Sequence, residues 1–218
     1  MRQRWDELLF LHWEVSPSEL QRTLPDGLTV DTWEGRTYLG VVPFFMNHVR
    51  PAFLPPLPWL SYFMELNVRT YVHDREGNPG VWFYSLDCNQ PLAVRVARTF
   101  FGLPYWDARM SAQGGVYRSE RCDGKASAAF AYSADSQTHV ADPGSLEWFL
   151  IERYLLFSVK GGRLHRGQVH HSPYPLRNAT LRECTLRGLG PVALDGPPIH
   201  VVESPGVSVE IFGVEHCR

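Results

Sequence analysis

Hydrophobic and polar positions alternate most regularly over residues 62–73. Glu65, Asn67 and Arg69 are polar, and the positions between them are apolar. A period of two is typical of a β-strand with one apolar and one polar face. Residues 81–88 form a second run of strand-forming side chains, and only turn residues separate the two runs. The pattern therefore predicts a β-hairpin at the centre of the chain.

The segment before this hairpin predicts two strands and a short helix. Residues 5–15 mix apolar and polar positions and suit a first strand. Residues 16–19, Ser-Pro-Ser-Glu, form a capping box, so a helix is expected to run to about Thr23. Residues 37–46 are apolar on both parities, which predicts a strand buried on both faces. Pro43 is expected to mark a bulge or an end of pairing in that strand.

The segment after the hairpin predicts two more helices and further strands. Residues 91–101 have helical spacing, with Leu92, Val96 and Phe100 on one apolar face. Asp142-Pro143 is expected to cap a second helix, whose shared face is Leu146, Phe149, Leu150 and Phe157. The other predicted elements are a hairpin over residues 116–133, with its turn at Asp123-Gly124, and short strands from Gly161 onward.

These elements predict one fold class. Residues 1–218 contain no linker and no internal repeat, so we expect a single mainly β (α+β) domain. Its architecture is barrel-like or sandwich-like, with two or three short helices. The proline-rich residues 51–58 are interpreted as a stiff connector, and also as a candidate rim of a cavity.

Composition excludes several classes of function. A formal net charge of −2 over 218 residues gives no electrostatic case for binding nucleic acid or an anionic membrane. No apolar run reaches the length of a spanning helix or a signal-peptide core, so a cytoplasmic location is expected. The four cysteines are scattered, which argues against a disulfide framework. Nineteen arginines against two lysines keep an anionic ligand open.

Candidate chemistry is concentrated on the polar face of the central hairpin. We expect this face to comprise Glu65, Asn67, Arg69, Ser85 and Asp87. If it points inward, it lines a polar cavity that holds two carboxyl groups and a guanidinium. If it points outward, it is a solvated face with a weak Glu65–Arg69 ion pair. The aromatic Tyr71 and Phe83, predicted for the same face, keep the inward alternative open.

No motif in the chain predicts a metal or a cofactor. His165, His170 and His171 do not share one strand face, so they make a poor metal triad. The nucleophile elbow, the phosphate-binding loop and the dinucleotide-binding glycine pattern are absent from the sequence. Lys125 and Lys160 both lie at turns, where solvent keeps an amine protonated, so neither is an activated nucleophile.

Six motifs spread over nearly the whole chain resemble the YqjF-like family of uncharacterised bacterial proteins. They are W-x-x-L-x-F-L-H-W (5–13), L-P-D-G-L (24–28), E-L-N-V-R-T-Y-V (65–72), G-V-W-F-Y-S-L-D (80–87), A-R-T-F-F-G-L-P-Y (97–105) and E-R-Y (152–154). That family is similar to a branch of the acetoacetate decarboxylase-like superfamily. The resemblance implies a cone-shaped, partly closed antiparallel β-barrel around a central cavity.

The same resemblance bears on the site. In acetoacetate decarboxylases a Schiff-base lysine follows a glycine–proline turn. Here Gly102-Leu103-Pro104 fits that turn, but Tyr105 and Trp106 follow it. Glu65 corresponds, by resemblance, to a cavity glutamate of the superfamily. The resemblance therefore implies the fold without the lysine chemistry.

The leading hypothesis is a protein that binds a small organic acid or carbonyl compound. Its candidate ligand-binding residues are Glu65, Arg69, Asp87, Tyr105 and Trp106. One alternative is a lysine-independent isomerase, lyase or hydrolase that pairs Glu65 with Asp87 or Tyr105 on an enolisable or lactone-like substrate. Another is a non-catalytic structural or regulatory protein. A small-molecule ligand is the expected partner, and a homo-oligomer stays open.

Overall fold

The computed structural model describes residues 1–51, 53–113 and 115–217. Within these residues the chain forms thirteen strands and three helices. The strands are β1 (Arg2–Val15), β2 (Thr29–Val30), β3 (Thr37–Arg50), β4 (Phe63–His73), β5 (Pro79–Cys88), β6 (Tyr105–Gln113), β7 (Val116–Arg121), β8 (Ser127–Ala134), β9 (Leu155–Lys160), β10 (Arg163–His170), β11 (Arg177–Arg187), β12 (His200–Ile211) and β13 (Glu215–His216). The helices are α1 (Pro17–Gln21), α2 (Pro91–Phe101) and α3 (Leu146–Ile151).

Nine strands close into a barrel. Their order is β5-β6-β7-β8-β11-β12-β1-β3-β4, and β4 pairs back onto β5. Most neighbours are antiparallel, whereas β5 runs parallel to β6 and to β9. Closure leaves no free edge in this ring. The prediction of a mainly β barrel with two or three helices is therefore confirmed, with the addition that the barrel is mixed.

A second ring shares five of these strands. β9 and β10 bridge β5 and β12, so β12, β1, β3, β4 and β5 belong to both rings. One face of the shared strands packs into a core with Phe10, Tyr38 and Phe149. The other face packs into a separate core with Leu11 and Phe130. This explains why β3 is apolar on both parities, and the prediction that it is buried on both faces is confirmed.

Local sequence signals place several elements correctly. The hairpin of residues 116–133 forms as β7 and β8. Pro43 lies where the pairing between β1 and β3 shifts register, between Asp6↔Phe45 and Leu11↔Val41. Proline has no amide hydrogen for the ladder, so a break in pairing suits it. None of the helices in the described residues is long and apolar enough to cross a membrane.

Ser16 and Pro17 begin α1 as predicted, but the capping box does not form, and the predicted cap of α3 is wrong. Ser16 precedes α1, but its side chain makes no capping hydrogen bond and its Oγ instead lies 3.1 Å from Oγ of Ser18. Helix α3 is capped by Ser145, whose Oγ accepts a hydrogen bond from the Trp148 amide at 3.1 Å. Asp142-Pro143 lies one turn earlier, and Phe157 belongs to β9 rather than to this helix.

The predicted packing face of α2 is also wrong. Leu92, Val96 and Phe100 are exposed by 40%, 43% and 62%, while Val94 is fully buried. Ala97 is partly buried against the same core as Val94. The helix therefore rests on its small side chains, and its bulky apolar side chains face outward. Helical spacing identifies an apolar face, but tertiary packing decides whether that face is covered.

Gly80 lies where β5 packs tightly against β9. A Cβ on this residue would lie 2.7 Å from the carbonyl oxygen of Leu155 and 2.7 Å from the Phe157 ring. We expect Gly80→Ala to lower the free energy of unfolding by about 1–3 kcal/mol through overpacking, as measured by urea denaturation. Gly213→Ala is the control, since a Cβ there meets nothing within 4 Å. Equal stability of the two variants would contradict the tight β5–β9 contact.

Candidate functional site

The polar face of β4 points into the interior of the second ring, which β9 and β10 close. Glu65, Asn67 and Arg69 are exposed by only 3%, 6% and 8%. Phe63 and Tyr71, on the same parity, belong to the core that contains Phe10. The inward alternative for this face is therefore the correct one. The outward alternative, a solvated Glu65–Arg69 pair, does not occur.

The prediction that Ser85 and Asp87 share this face is wrong. In the ladder Asp87 lies opposite Leu66 and Ser85 lies opposite Val68, so both point to the other side of the sheet. A register shift next to Val68 leaves Tyr84 as an extra residue in β5 and reverses the face of the positions that follow. Strict alternation across the two strands cannot reveal this shift, because a bulge is set by pairing rather than by composition.

Asp87 is instead held by a different group of residues. Nε of Arg121 donates to its Oδ1 at 2.7 Å, and Oγ of Ser119 lies 3.5 Å from its Oδ2. The Asp87 carboxyl is fully buried, and burial raises its pKa although Arg121 opposes the rise. Asp87 and Arg121 thus form a buried ion pair on the face of the sheet that packs into the core with Phe130. Glu65 lies on the opposite face.

Glu65 pairs with Tyr105 in this same interior. The Tyr105 hydroxyl donates to Oε2 of Glu65 at 2.7 Å, and both side chains are buried. The Tyr117 hydroxyl donates to the main-chain oxygen of Glu65 at 2.8 Å. Cys88 lies directly opposite Glu65 in the β4–β5 ladder. Two residues from distant parts of the chain thus form one phenol–carboxyl pair.

Burial controls the protonation of this pair. The pKa of Glu65 is raised from 4.5 to about 8, chiefly by desolvation. The Tyr105 hydrogen bond opposes the rise, and the charge of Asp87 adds to it. The pKa of the Tyr105 phenol is raised well above 10, chiefly by burial and then by Glu65. Near neutral pH both groups are therefore largely protonated. A neutral carboxyl group can donate as well as accept a hydrogen bond.

The turn after α2 positions Tyr105. Gly102 ends the helix with φ of 64°, a conformation that favours glycine, and a Cβ there would lie 2.9 Å from the oxygen of Val159. Pro104 follows, and its carbonyl accepts a hydrogen bond from the Leu86 amide at 3.0 Å. Nε of Arg98 then donates to the carbonyl of Tyr105 at 2.6 Å. The residue after this turn is thereby fixed as the first residue of β6.

Trp106 does not join this site. As the next residue of β6 it points to the opposite face, and it is 38% exposed. The guanidinium groups of Arg98 and Arg121 lie 5.6 and 5.1 Å from its ring centroid. These distances suit cation–π contacts. Of the two candidate residues Tyr105 and Trp106, only Tyr105 lines the cleft described below, because adjacent residues of a strand point to opposite faces.

An apolar cleft of about 290 Å³ opens beside Tyr105. Helix α2 and the end of β3 form its walls, and Pro51 and Leu60 stand at its edge. Of the proline-rich residues 51–58, for which a rim role was predicted, Pro51 lines the cleft. Its lining includes Gln3, Met46, Arg50, Phe63, Ala93, Val96, Ala97, Phe101, Leu103, Tyr105 and Leu156. An apolar cleft with a few polar side chains is the usual form of a small-molecule site.

Arg69 lies in a separate polar cluster. Its Nη2 donates to the carbonyl of Leu150 at 3.3 Å, the same carbonyl that accepts from the Tyr71 hydroxyl at 2.7 Å. The guanidinium lies 5.5 Å from the Phe10 ring centroid. Its Nε has no hydrogen-bond partner within the described residues. Arg69 is buried as expected, but its contacts are with Leu150 and Phe10, whereas Tyr105 contacts Glu65.

A chain of histidines, which the sequence analysis missed, leads from Arg69 to the surface. Nδ1 of the buried His12 lies 2.9 Å from Nδ1 of His200. Glu147 lies 3.4 Å from Nε2 of His200 and 3.0 Å from Nε2 of His139. Burial, then His200 and Arg69, lower the pKa of His12 well below 6.5. No group of three potential metal ligands occurs in the parts of the chain that the structure describes. These residues are far apart in the sequence, so no spacing pattern predicted the cluster.

Both lysines are on the surface. Lys125 is exposed in the turn before β8, and Nζ of the exposed Lys160 donates to the carbonyl of Phe100 at 3.3 Å. Neither lines the cleft beside Tyr105.

Comparison with solved structures defines the class of fold. An acetoacetate decarboxylase-like enzyme from Sphingomonas wittichii RW1 matches with a TM-score of 0.64 at 13% identity, covering 100% of this chain and 92% of that chain. The enduracididine biosynthesis enzyme MppR complexed with pyruvate matches with a TM-score of 0.63 at 16% identity, covering 99% and 89%. At such identities the likeness shows the fold alone, which is acetoacetate decarboxylase-like.

Comparison of sequences defines the family. Residues 2–208 match DUF2071, described as an uncharacterized conserved protein. The uncharacterized protein YqjF of Bacillus subtilis (strain 168) is 40% identical over 185 residues, which are 82% of this chain and 76% of YqjF. The chain belongs to the DUF2071 family, and the resemblance to YqjF is confirmed.

The raised pKa of Glu65 predicts a pH effect on stability. Between pH 4.5 and about 8 the folded protein holds a proton on Glu65 that the unfolded chain has released, so stability falls as pH rises through this window. At about 1.4 kcal/mol per pKa unit, the loss is on the order of a few kcal/mol. We expect Glu65→Gln to remove it, as measured by denaturation at pH 5, 6, 7 and 8 (~1-unit steps).

The matched control is Glu183→Gln, at an exposed position of β11. This variant should keep the pH dependence of the wild type. If the Glu65→Gln and wild-type stability curves run parallel from acid to neutral pH, Glu65 is not a buried, protonated group.

Proposed function

We propose that the cleft between α2 and β3 binds a small organic acid or carbonyl compound. The observation that carries the proposal is the Tyr105–Glu65 pair, whose 2.7 Å hydrogen bond lies beside an otherwise apolar cleft. A neutral Glu65 carboxyl group can donate to the phenol oxygen, which frees the Tyr105 hydroxyl to donate to a carbonyl or carboxylate oxygen of the ligand. The apolar wall of the cleft would hold the carbon skeleton of the ligand.

The structural neighbours support this class of ligand. MppR, which shares the fold, is described as complexed with pyruvate, a small oxo acid. Other proteins of the fold are described as acetoacetate decarboxylases, as is the Legionella pneumophila enzyme. Fold alone does not transfer function, so the argument for this chain rests on its own cleft. The contribution of the neighbours is to make a carbonyl-containing acid the first class to test.

A second candidate function is acid/base turnover of the bound compound. The pKa of Glu65, about 8, lies close to neutral pH, where a group exchanges protons with a substrate most effectively. Perturbed pKa values are also frequent at catalytic sites. In this proposal Glu65 moves a proton at an enolisable carbon while Tyr105 holds the carbonyl oxygen. Asp87 has no part in it, because its partner is Arg121.

Removal of the Tyr105 hydroxyl tests the binding site. We expect Tyr105→Phe to weaken binding of pyruvate or acetoacetate about tenfold, the equivalent of one hydrogen bond to a charged group. The measurement is isothermal titration calorimetry at neutral pH, with thermal shift as a second readout. The apo protein should lose about 1 kcal/mol of stability and remain folded.

Tyr117→Phe is the matched control for this experiment. Tyr117 is buried like Tyr105 and also donates to Glu65, but to its main-chain oxygen, and it does not line the cleft. This variant should lose similar stability and keep the affinity of the wild type. Equal affinity in wild type, Tyr105→Phe and Tyr117→Phe would remove Tyr105 from the site.

The proposal also excludes Schiff-base chemistry. The two exposed lysines lie outside the cleft, and Tyr105 follows the glycine–proline turn. We expect borohydride treatment with pyruvate or acetoacetate to leave the intact mass unchanged, because neither lysine lines the cleft. Acetoacetate decarboxylation should be undetectable in the same samples. Stoichiometric labelling of Lys125 or Lys160 would overturn this part of the proposal.

A further inference from the structure

Gln3 is a buried amide that has no hydrogen-bond partner. Its side chain is 4% exposed, and neither its Nε2 nor its Oε1 is bonded to any described residue. An amide buried in this way costs free energy that a native protein usually recovers through a partner. Gln3 lines the apolar cleft beside Tyr105. A ligand bound in the cleft would supply the missing hydrogen-bond partner.

Gln3 also lines a second, basic recess on the neighbouring surface. This recess has a volume of about 570 Å³, and its charged or titratable side chains are Arg2, Arg4, His48, Arg50, His170, His171 and the single carboxylate Glu210. Arg2 is paired with Glu210 at 2.9 Å, and Arg4 is paired with Asp6 at 2.6 Å. Arg50 instead donates to the main-chain carbonyl of Leu54 at 3.3 Å. Its charge is thus not matched by a carboxylate among these contacts.

Gln3 and Arg50 are the two residues that line both spaces. On one side of them lies the apolar wall of α2, and on the other lies the basic recess. An amide N–H and a guanidinium together suit a carboxylate, because both donate and the planar guanidinium matches the carboxylate oxygens. The apolar wall suits an aliphatic chain, since it offers side chains of alanine, valine, leucine and phenylalanine.

We propose that the two spaces form one amphiphilic site, in which Gln3 and Arg50 bind the carboxylate of an aliphatic acid and the cleft under α2 binds its chain. This inference rests on the proposed function and specifies its ligand class. The Tyr105–Glu65 pair then lies along the chain, where it meets a carbonyl group of the ligand. The ligand class is an aliphatic acid that carries an oxo group. Gln3 and Arg50 act as binding residues: they orient the ligand and select for a carboxylate at one end of it.

Chain length and charge test the ligand class. The probes are butyrate, hexanoate and octanoate, with octanol as the uncharged counterpart, and binding is measured by calorimetry on the full chain. We expect affinity to rise about fourfold per methylene until the cleft is filled. Octanol should bind at least tenfold more weakly than octanoate. Equal binding of octanol and octanoate would overturn the role of Gln3 and Arg50.

Substitution of Gln3 separates binding from structure. Gln3→Leu replaces an unpaired amide with an apolar group of similar size, so the apo protein should be as stable as the wild type or more stable. Octanoate affinity should nevertheless fall about tenfold or more. Gln3→Glu keeps the shape and adds a negative charge, and it should abolish octanoate binding. Gln137→Leu, at an exposed position outside both spaces, should leave affinity unchanged.

The outcomes distinguish this inference from the proposed function. If pyruvate binds and Tyr105→Phe weakens it, while affinity shows no dependence on chain length or on Gln3, only the amphiphilic site is overturned. If neither the oxo acids nor the aliphatic acids bind, both proposals are overturned. If Gln3→Leu destabilises the apo protein and leaves octanoate affinity unchanged, Gln3 has a structural role and the inference is wrong.

Discussion

The division of one edge of β5 between two partner strands determines the architecture. Near its start β5 pairs in parallel with β9, through Val81↔Leu156, and near its end it pairs in parallel with β6, through Leu86↔Tyr105. Its other edge stays paired with β4. Because a strand has only two hydrogen-bonding edges, this division separates two rings that share five strands. It also places Tyr105, the first residue of β6, beside the interior face of β4.

The site depends on the burial of one carboxyl group. An ionised carboxylate inside a protein is costly unless a cation or several donors compensate it. The side chain that reaches Glu65 is the phenol of Tyr105, which follows the glycine–proline turn. A phenol supplies a hydrogen bond without a positive charge, so the lower-energy solution is a protonated Glu65.

Several buried polar atoms have no hydrogen-bond partner among the described residues. Gln3 has both amide atoms unbonded, and Nε of Arg69 and Nε2 of His12 are also without partners in the described residues. A protein optimised for stability alone would replace such groups with apolar ones. The exposed apolar side chains of α2 are a second feature that does not add stability, since Leu92, Val96 and Phe100 lie outside the core. Gln3 lines the cleft and α2 forms its wall, whereas Arg69 and His12 lie in the separate polar cluster.

The sequence by itself determined the elements and one residue of the site. Alternation located β4 and β5, the turn chemistry located their connection, and the family resemblance singled out Tyr105 after the glycine–proline turn. The first two signals are local, because the steric and hydrogen-bonding preferences behind them act over a few residues. The inward orientation of Glu65 and Arg69 was one of two alternatives that the pattern allowed. The family resemblance favoured the correct one.

Tertiary structure alone decided which side chains meet. The extra residue at Tyr84 sends Asp87 to Arg121 instead of Glu65, and nothing in the composition of β5 marks that bulge. Gln3 becomes a site residue only because β1 passes the cleft formed by α2 and β3. His12, Glu147 and His200 meet across more than a hundred residues of sequence. Register, strand partnership and helix docking are set by long-range pairing, so a local pattern cannot encode them.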